Sequence, residues 1–232
     1  MKPKGTLRVS DVNPRYFTDD RDQIVYLTGS HTWNNLVGMT FQFKGGSNQT
    51  LFESPADWIS PNPEGGYQDD PPPGDGSKVI LTDTDHLWGI GGTYPWVWKS
   101  FLRGLNPIFM DPYDGKVLTK TFDPSWAEPL RKSMGYTLDF AQRLDLIHMV
   151  PEPALASSGY CLAHPGHAYL VYLPEGQEVT VDLEGCPGAY EVAWFDPHTG
   201  TFRQAAPVAG GRTVSLTSPF EDGDAVVYLT LL

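Results

Sequence analysis

The stretch Lys78-Val79-Ile80-Leu81-Thr82-Asp83-Thr84-Asp85-His86-Leu87-Trp88-Gly89 decides how the chain is read. Its first half is a short, continuous apolar run, the pattern of a strand covered on both faces in a parallel sheet. A helical pattern follows over 94–105. Pro95 suits its first turn, and Trp98, Phe101, Leu102 and Leu105 fall on one face. Asn106-Pro107 stops that helix and Ile108-Phe109-Met110 reads as the next strand. Strand, loop, helix, strand is a βαβ unit, which implies parallel pairing.

Upstream, Arg15-Tyr16-Phe17 pairs with Gln23-Ile24-Val25-Tyr26-Leu27 across the turn Thr18–Asp22, and the second strand runs on into Thr28-Gly29-Ser30-His31-Thr32-Trp33. Residues 38–42 are another strand candidate. The polar, proline-rich stretch 43–77 reads as one long loop, and loops of that length tend to be functional. Glu53, Asp57, Trp58, Glu64 and Tyr67 would make it a lid or a subsite wall. Downstream, Asp123-Pro124 caps and opens a long helix expected to end near Met149, with Trp126, Leu130, Met134, Leu138, Ala141 and Leu144 on its inner face. From residue 155 onward, six or seven short strand patterns separated by turns predict an antiparallel β-sandwich. The expected domains are 1–152, α/β with a parallel sheet, and 153–232, the sandwich.

The 232 residues include 24 Gly and 21 Pro, about a fifth of the chain, which argues against a helical bundle. The 28 acidic against 16 basic side chains leave a net charge of −12. A chain this acidic repels phosphate backbones and anionic lipid surfaces, so neither nucleic acid nor membrane is an expected partner. The start lacks the apolar run of a signal peptide, so a cytoplasmic chain is the default, with secretion left open. Cys161 and Cys186 form no metal motif, and whether they pair depends on the fold.

Side chains that follow a buried parallel strand face the ligand crevice of an α/β sheet or barrel. Asp83 and Asp85 are therefore the candidate catalytic carboxylates. As residues i and i+2 of one strand they would point the same way. His86, Trp88, His31, Trp33 and Asp111, which ends the next strand, are the candidate substrate contacts. Each also has a plainer reading: Asp83, Asp85 and Asp111 can cap turns, and His86 can be a packing residue. No metal is expected, because Asp83, Asp85 and His86 lack a supporting His-x-x-x-His or Cys cluster. No cofactor is expected either: phosphate-loop and dinucleotide patterns and the Gly-x-Ser-x-Gly elbow are all missing from the sequence.

Asn13-Pro14-Arg15-Tyr16-Phe17-Thr18-Asp19 and Tyr26-Leu27-Thr28-Gly29-Ser30-His31-Thr32-Trp33 resemble the opening of the apiosidase-like glycoside hydrolases. Lys78 to Gly89, Trp96 to Asp114, and Gly159 to Ala163 through Tyr169 to Pro174 are similar to later parts of the same proteins. The resemblance implies a (β/α)₈ catalytic barrel followed by a β-sandwich labelled a collagen-binding domain. It also implies hydrolysis of polysaccharide side chains, with carbohydrate as the partner. A barrel needs about 250 residues. Here about 150 precede the sandwich, and the shortfall falls between Trp33 and Gly38. The fold expectation is therefore a partial (β/α)₈-type barrel followed by an antiparallel β-sandwich. Glycoside hydrolysis takes two carboxylates, and one of them falls in the missing part. The alternatives are a non-catalytic carbohydrate-binding or structural remnant, or a homo-oligomer that completes the barrel between copies.

Overall fold

The computed structural model describes residues 3–31, 47–113, 115–117, 120–121, 123–221 and 223–232. The strand expected at 38–42, the junction at 33–38 and Trp33 lie outside the described residues. The chain divides into two compact units, Met1–Phe101 with Leu105–Leu144, and Leu102–Gly104 with Asp145–Leu232. No helix among the described residues is long and apolar enough to cross a membrane.

The first unit opens with a three-stranded antiparallel sheet, β1 (Arg8–Val9), β2 (Phe17–Thr18) and β3 (Ile24–Val25). Strands of two residues cannot hold a turn alone, and Asp19 supplies what they lack. Its buried carboxylate accepts from the backbone N–H groups of Lys4, Arg21 and Gln23 at 2.9, 2.9 and 3.3 Å. It also accepts from the Arg21 guanidinium at 2.6 and 3.0 Å.

The chain does not continue as one strand from β3. It breaks at Tyr26–Thr28 and enters a four-stranded parallel sheet as β4 (Gly29–His31). The other members are β5 (Trp58–Ile59), β6 (Val79–Asp83) and β7 (Asn106–Met110), in the order β4-β7-β6-β5. The βαβ reading holds: β6 is buried at every position and pairs parallel with β7, Leu81 opposite Asn106 and Asp83 opposite Ile108. Asn106 does more than end a helix. Its fully buried side chain accepts from the Leu27 N–H at 3.1 Å and donates to the Arg15 and Ile80 carbonyls at 3.2 and 3.3 Å. The stretch read as a single long loop holds α1 (Asn48–Glu53) and β5, and β5 pairs with β6 through Trp58 opposite Val79.

Two short elements, α2 (Thr84–Leu87) and α3 (Tyr94–Leu102), connect β6 to β7. An antiparallel pair, β8 (Lys116–Val117) and β9 (Lys120–Thr121), leads to the long helix. Asp123 accepts from the Ser125 N–H at 2.9 Å and caps a 3₁₀ turn, which runs directly into α4 (Glu128–Arg143). The helix stops at Arg143, short of the expected Met149. Its buried face is Leu130, Ser133, Met134, Thr137 and Phe140, rotated from the expected stripe; Leu138 and Ala141 are half-buried. On that face Thr137 meets the buried Tyr26, whose OH donates to its hydroxyl at 3.4 Å. Ile59, Ile80, Phe109, Trp96, Val97, Leu105, Leu130 and Met134 form the shared core of strands and helices.

The second unit has a six-stranded antiparallel sheet in the order β10 (Val150–Pro151), β11 (Cys161–His164), β12 (Ala168–Leu173), β17 (Ala225–Leu231), β14 (Ala189–Asp196), β15 (Thr201–Ala209). A two-stranded sheet pairs β13 (Glu178–Asp182) with β16 (Thr213–Thr217). Alternation carries the packing. Val179 and Val181, Val214 and Leu216, and Tyr190, Val192 and Trp194 enter one core with Tyr169, Val171, Val227 and Leu229. β10 lies before the expected sandwich start yet belongs to this sheet. Cys161 and Cys186 are both free thiols.

Two outcomes follow from these environments. The Arg21 guanidinium, with backbone N–H groups assisting, holds the Asp19 carboxyl well below the usual carboxylate range. The stability Asp19 contributes is thus present above the unfolded value of about 3.9 and lost as pH falls through the lowered folded value. Unfolding of the first unit followed from neutral to acid pH should show this loss, and Asp19→Asn should flatten the profile. Burial, with Glu152 nearby, pushes the Cys161 thiol up to about 12. An aromatic disulfide reagent at about pH 8 should therefore leave Cys161 unmodified in the native chain, modify the half-buried Cys186 first, and modify both after denaturation.

Candidate functional site

The C-terminal ends of the parallel strands bring the expected residues to one edge of the sheet, though not in the expected way. Asp83 ends β6 and caps α2, its Oδ1 accepting from the Asp85 N–H at 2.9 Å. The chain turns helical at Thr84. Asp83 and Asp85 therefore do not share a strand face: Asp83 is buried at the strand end, and Asp85 is half-buried in the first turn of α2. Asx capping won over strand continuation because Thr84 is itself held. Its buried Oγ1 accepts from the Met110 N–H at 2.9 Å and ties α2 to β7.

His86 lies beyond Asp85 on α2, with its Nδ1 2.7 Å from the hydroxyl of Ser60. Ser60 is fully buried and directly follows β5, so the imidazole is oriented by the neighbouring strand's end. Trp88 ends α2 with its ring edge-on to Trp96 at 5.1 Å, half-buried against the core. That is a packing environment. His31 ends β4 in register with Met110, and Trp33 lies outside the described residues.

Asp111 follows β7 and is committed to a partner. Its buried carboxylate accepts from Arg131 of α4 in a bidentate pair, Nε to Oδ2 at 2.7 Å and Nη2 to Oδ1 at 2.5 Å. The pairing raises the Arg131 pKa further, with Glu128 adding to it. A carboxylate held in this way pins the start of α4 to the strand end.

Of the residues expected to form a lid, Trp58 lies in β5 and three others have described hydrogen-bond partners. Tyr67 is buried, its carbonyl accepts from the Trp96 Nε1–H at 3.0 Å, and burial pushes its phenol up to about 12. Glu53 accepts from Gln49 within α1, and Glu64 from the Asn48 N–H. Ser60, Thr84 and Arg131 were not among the expected site residues. Ser60 follows a two-residue strand in proline-rich surroundings, and Arg131 is one charge on a helix face, so neither stands out in the sequence. Among the described residues, one cluster has the ligand types and spacing for a metal ion: Asp145, His148 and His164, in the second unit.

Residues 148–230 match the family described as "Putative collagen-binding domain of a collagenase". Among solved structures, the chain is similar to a glycoside hydrolase at 11% identity and TM-score 0.51, covering 66% of this chain and 42% of that one. It is similar also to a glycoside hydrolase family 5 protein from Bacteroides vulgatus ATCC 8482, at 12% identity and TM-score 0.53, covering 66% and 41%. The chain is glycoside hydrolase-like in fold. It spans about two fifths of the length of these structures. No curated protein matches it.

Removing one partner of a buried ion pair leaves an uncompensated charge. Arg131→Ala should therefore destabilise the first unit by about 3 kcal/mol, read as a lower urea midpoint. Asp111→Asn with Arg131→Gln should recover part of that loss, because an amide pair keeps hydrogen bonds without the stranded carboxylate.

Proposed function

We propose that the chain is a carbohydrate-recognising relative of the apiosidase-type glycoside hydrolases, binding a sugar of a polysaccharide side chain at the C-terminal ends of its parallel strands. The observation that carries this reading is the strand order. β5, β6 and β7 lie side by side in chain order, and β4, the first parallel strand, pairs with β7, the last. A first strand laid parallel beside the last is how a (β/α)₈ barrel closes, and such barrels bind substrate at the carboxyl ends of their strands. On this reading the first unit is an abbreviated barrel that keeps the closing seam. The second is a β-sandwich of the collagen-binding type, the label its family carries.

Asp85 and His86 are the proposed sugar contacts, and the sequence adds His31 and Trp33 as further candidates. Asp83 and Asp111 hold the frame, one as a cap and one as an ion-pair partner. That division favours binding over turnover. Glycoside hydrolysis needs two carboxyl groups about 5 to 9 Å apart in matched roles, and Asp83 and Asp111 are already engaged.

The test is calorimetry and reducing-sugar release against a panel of plant cell-wall oligosaccharides. Wild type should bind without releasing sugar. Asp85→Asn and His86→Ala should each weaken binding about tenfold, the loss of a hydrogen bond worth about 1.4 kcal/mol. Asp83→Ala should cost about 1 kcal/mol of stability as a lost cap and leave affinity nearly unchanged. Sugar release abolished by Asp85→Asn would make the chain a hydrolase. Binding to no oligosaccharide, or binding indifferent to both Asp85→Asn and His86→Ala, would sink the reading.

A further inference from the structure

The second unit begins with two tight turns whose ends carry similar chemistry. Asp145 and His148 stand at the first and fourth positions of one, closed by the His148 N–H donating to the Asp145 carbonyl at 3.0 Å. His164 and His167 stand at the same positions of the other, closed by the His167 N–H donating to the His164 carbonyl at 2.9 Å. Pro165 and Gly166 form the centre of the second turn, and Gly166 takes φ +84°, the left-handed value a type II turn needs at its third position. β10 pairs antiparallel with β11, Val150 opposite Ala163 and Pro151 opposite Leu162, which sets the two turns side by side.

The result is a cluster that neither packing nor the proposed sugar edge requires. One donor atom from each of Asp145, His148 and His164 lies within 4.8 Å of the others. The His148 Nδ1 and Asp145 Oδ2 are 2.6 Å apart. The His148 and His164 rings stack at 5.2 Å, and His164 stacks on His167 at 4.2 Å. We propose that Asp145, His148 and His164 form a binding site for a divalent transition-metal ion, zinc foremost.

The donor set selects the ion. Two imidazole nitrogens and one carboxylate oxygen suit zinc, whereas magnesium and calcium take oxygen ligands. Zinc holds such donors at about 2.0 to 2.2 Å, so the three side chains draw together around it. They have room to do so: the Asp145 and His148 side chains are 61% and 52% exposed. Three protein ligands leave a fourth position for water. Bound there, the ion clips the turn before β10 to the β11–β12 hairpin. That edge is otherwise joined through a two-residue strand, so occupancy reads out as stability of the second unit.

The experiment uses the tag-free full chain, titrated with zinc chloride by calorimetry and melted with and without the metal. The expected result is one zinc ion per chain and an upward shift of the second unit's unfolding, reversed by chelation and not produced by magnesium or calcium. Loss of an outer-shell partner of a metal ligand already costs about 10- to 100-fold in affinity. Asp145→Ala, His148→Ala and His164→Ala should therefore each cost about 100-fold or more. His198→Gln, a change outside the cluster that keeps a donor toward Asp224, should retain full binding, and circular dichroism shows that each variant is folded. The absence of any zinc-dependent shift would overturn the proposal. So would a shift that persists undiminished in both His148→Ala and His164→Ala.

Discussion

A buried amide must satisfy its oxygen and both its hydrogens or forfeit the cost of desolvating them. Asn106 meets that constraint by reaching three separate parts of the first unit: the Leu27 N–H just before β4, the Ile80 carbonyl on β6, and the Arg15 carbonyl at the three-stranded sheet. No one-residue slip of β4 or β6 against β7 keeps all three bonds. The register of the parallel sheet, the seating of β4 beside β7 and the attachment of the opening sheet therefore depend on one side chain. Thr28 reinforces the same seam by donating to the Pro107 carbonyl at 2.8 Å. With register fixed, His31, Ser60, Asp83 and Asp111 fall at the same end of the sheet.

At that end, polar groups are chiefly occupied in holding one another. Asp83 caps α2, Thr84 ties α2 to β7, Ser60 orients His86, and Arg131 neutralises Asp111. Each bond joins the end of a strand to a different element, so the edge is rigid before any ligand arrives. Rigidity favours recognition, since less conformational freedom remains to be lost on binding. It works against a carboxylate pair that must exchange protons during a reaction.

The elements legible in the sequence were those whose patterns are local. The apolar run of β6, the Asp123 cap before α4 and the alternation of β13, β14 and β16 each carry their own periodicity. What the sequence concealed depends on distant partners. β5 is two residues between prolines and becomes a strand only because β6 offers it an edge. α4 ends at Arg143, and its inner face turns toward Ser133 and Thr137, where Thr137 accepts from the hydroxyl of the distant, buried Tyr26. At the site, the residue types and their place at the strand ends were readable. The departure of Asp85 from the strand, and the capture of Asp111 by a helix twenty residues on, were not.

The seam between β4 and β7 also bears on how the chain acquires its structure. Leu27 and Asn106 are 79 residues apart, and both must be in place before the amide finds its partners. β5, β6 and β7 can assemble stepwise as each emerges during synthesis, since neighbours in sequence are neighbours in the sheet. β4 is made first and must wait for β7. Closing so long a loop costs entropy, of which the earlier bond from the Arg15 Nε–H to the Gly74 carbonyl at 2.7 Å can repay a part, and non-local pairings of this kind slow folding. Until β7 emerges, β4 carries an unsatisfied strand edge, the state in which a nascent chain is most open to pairing with the wrong neighbour.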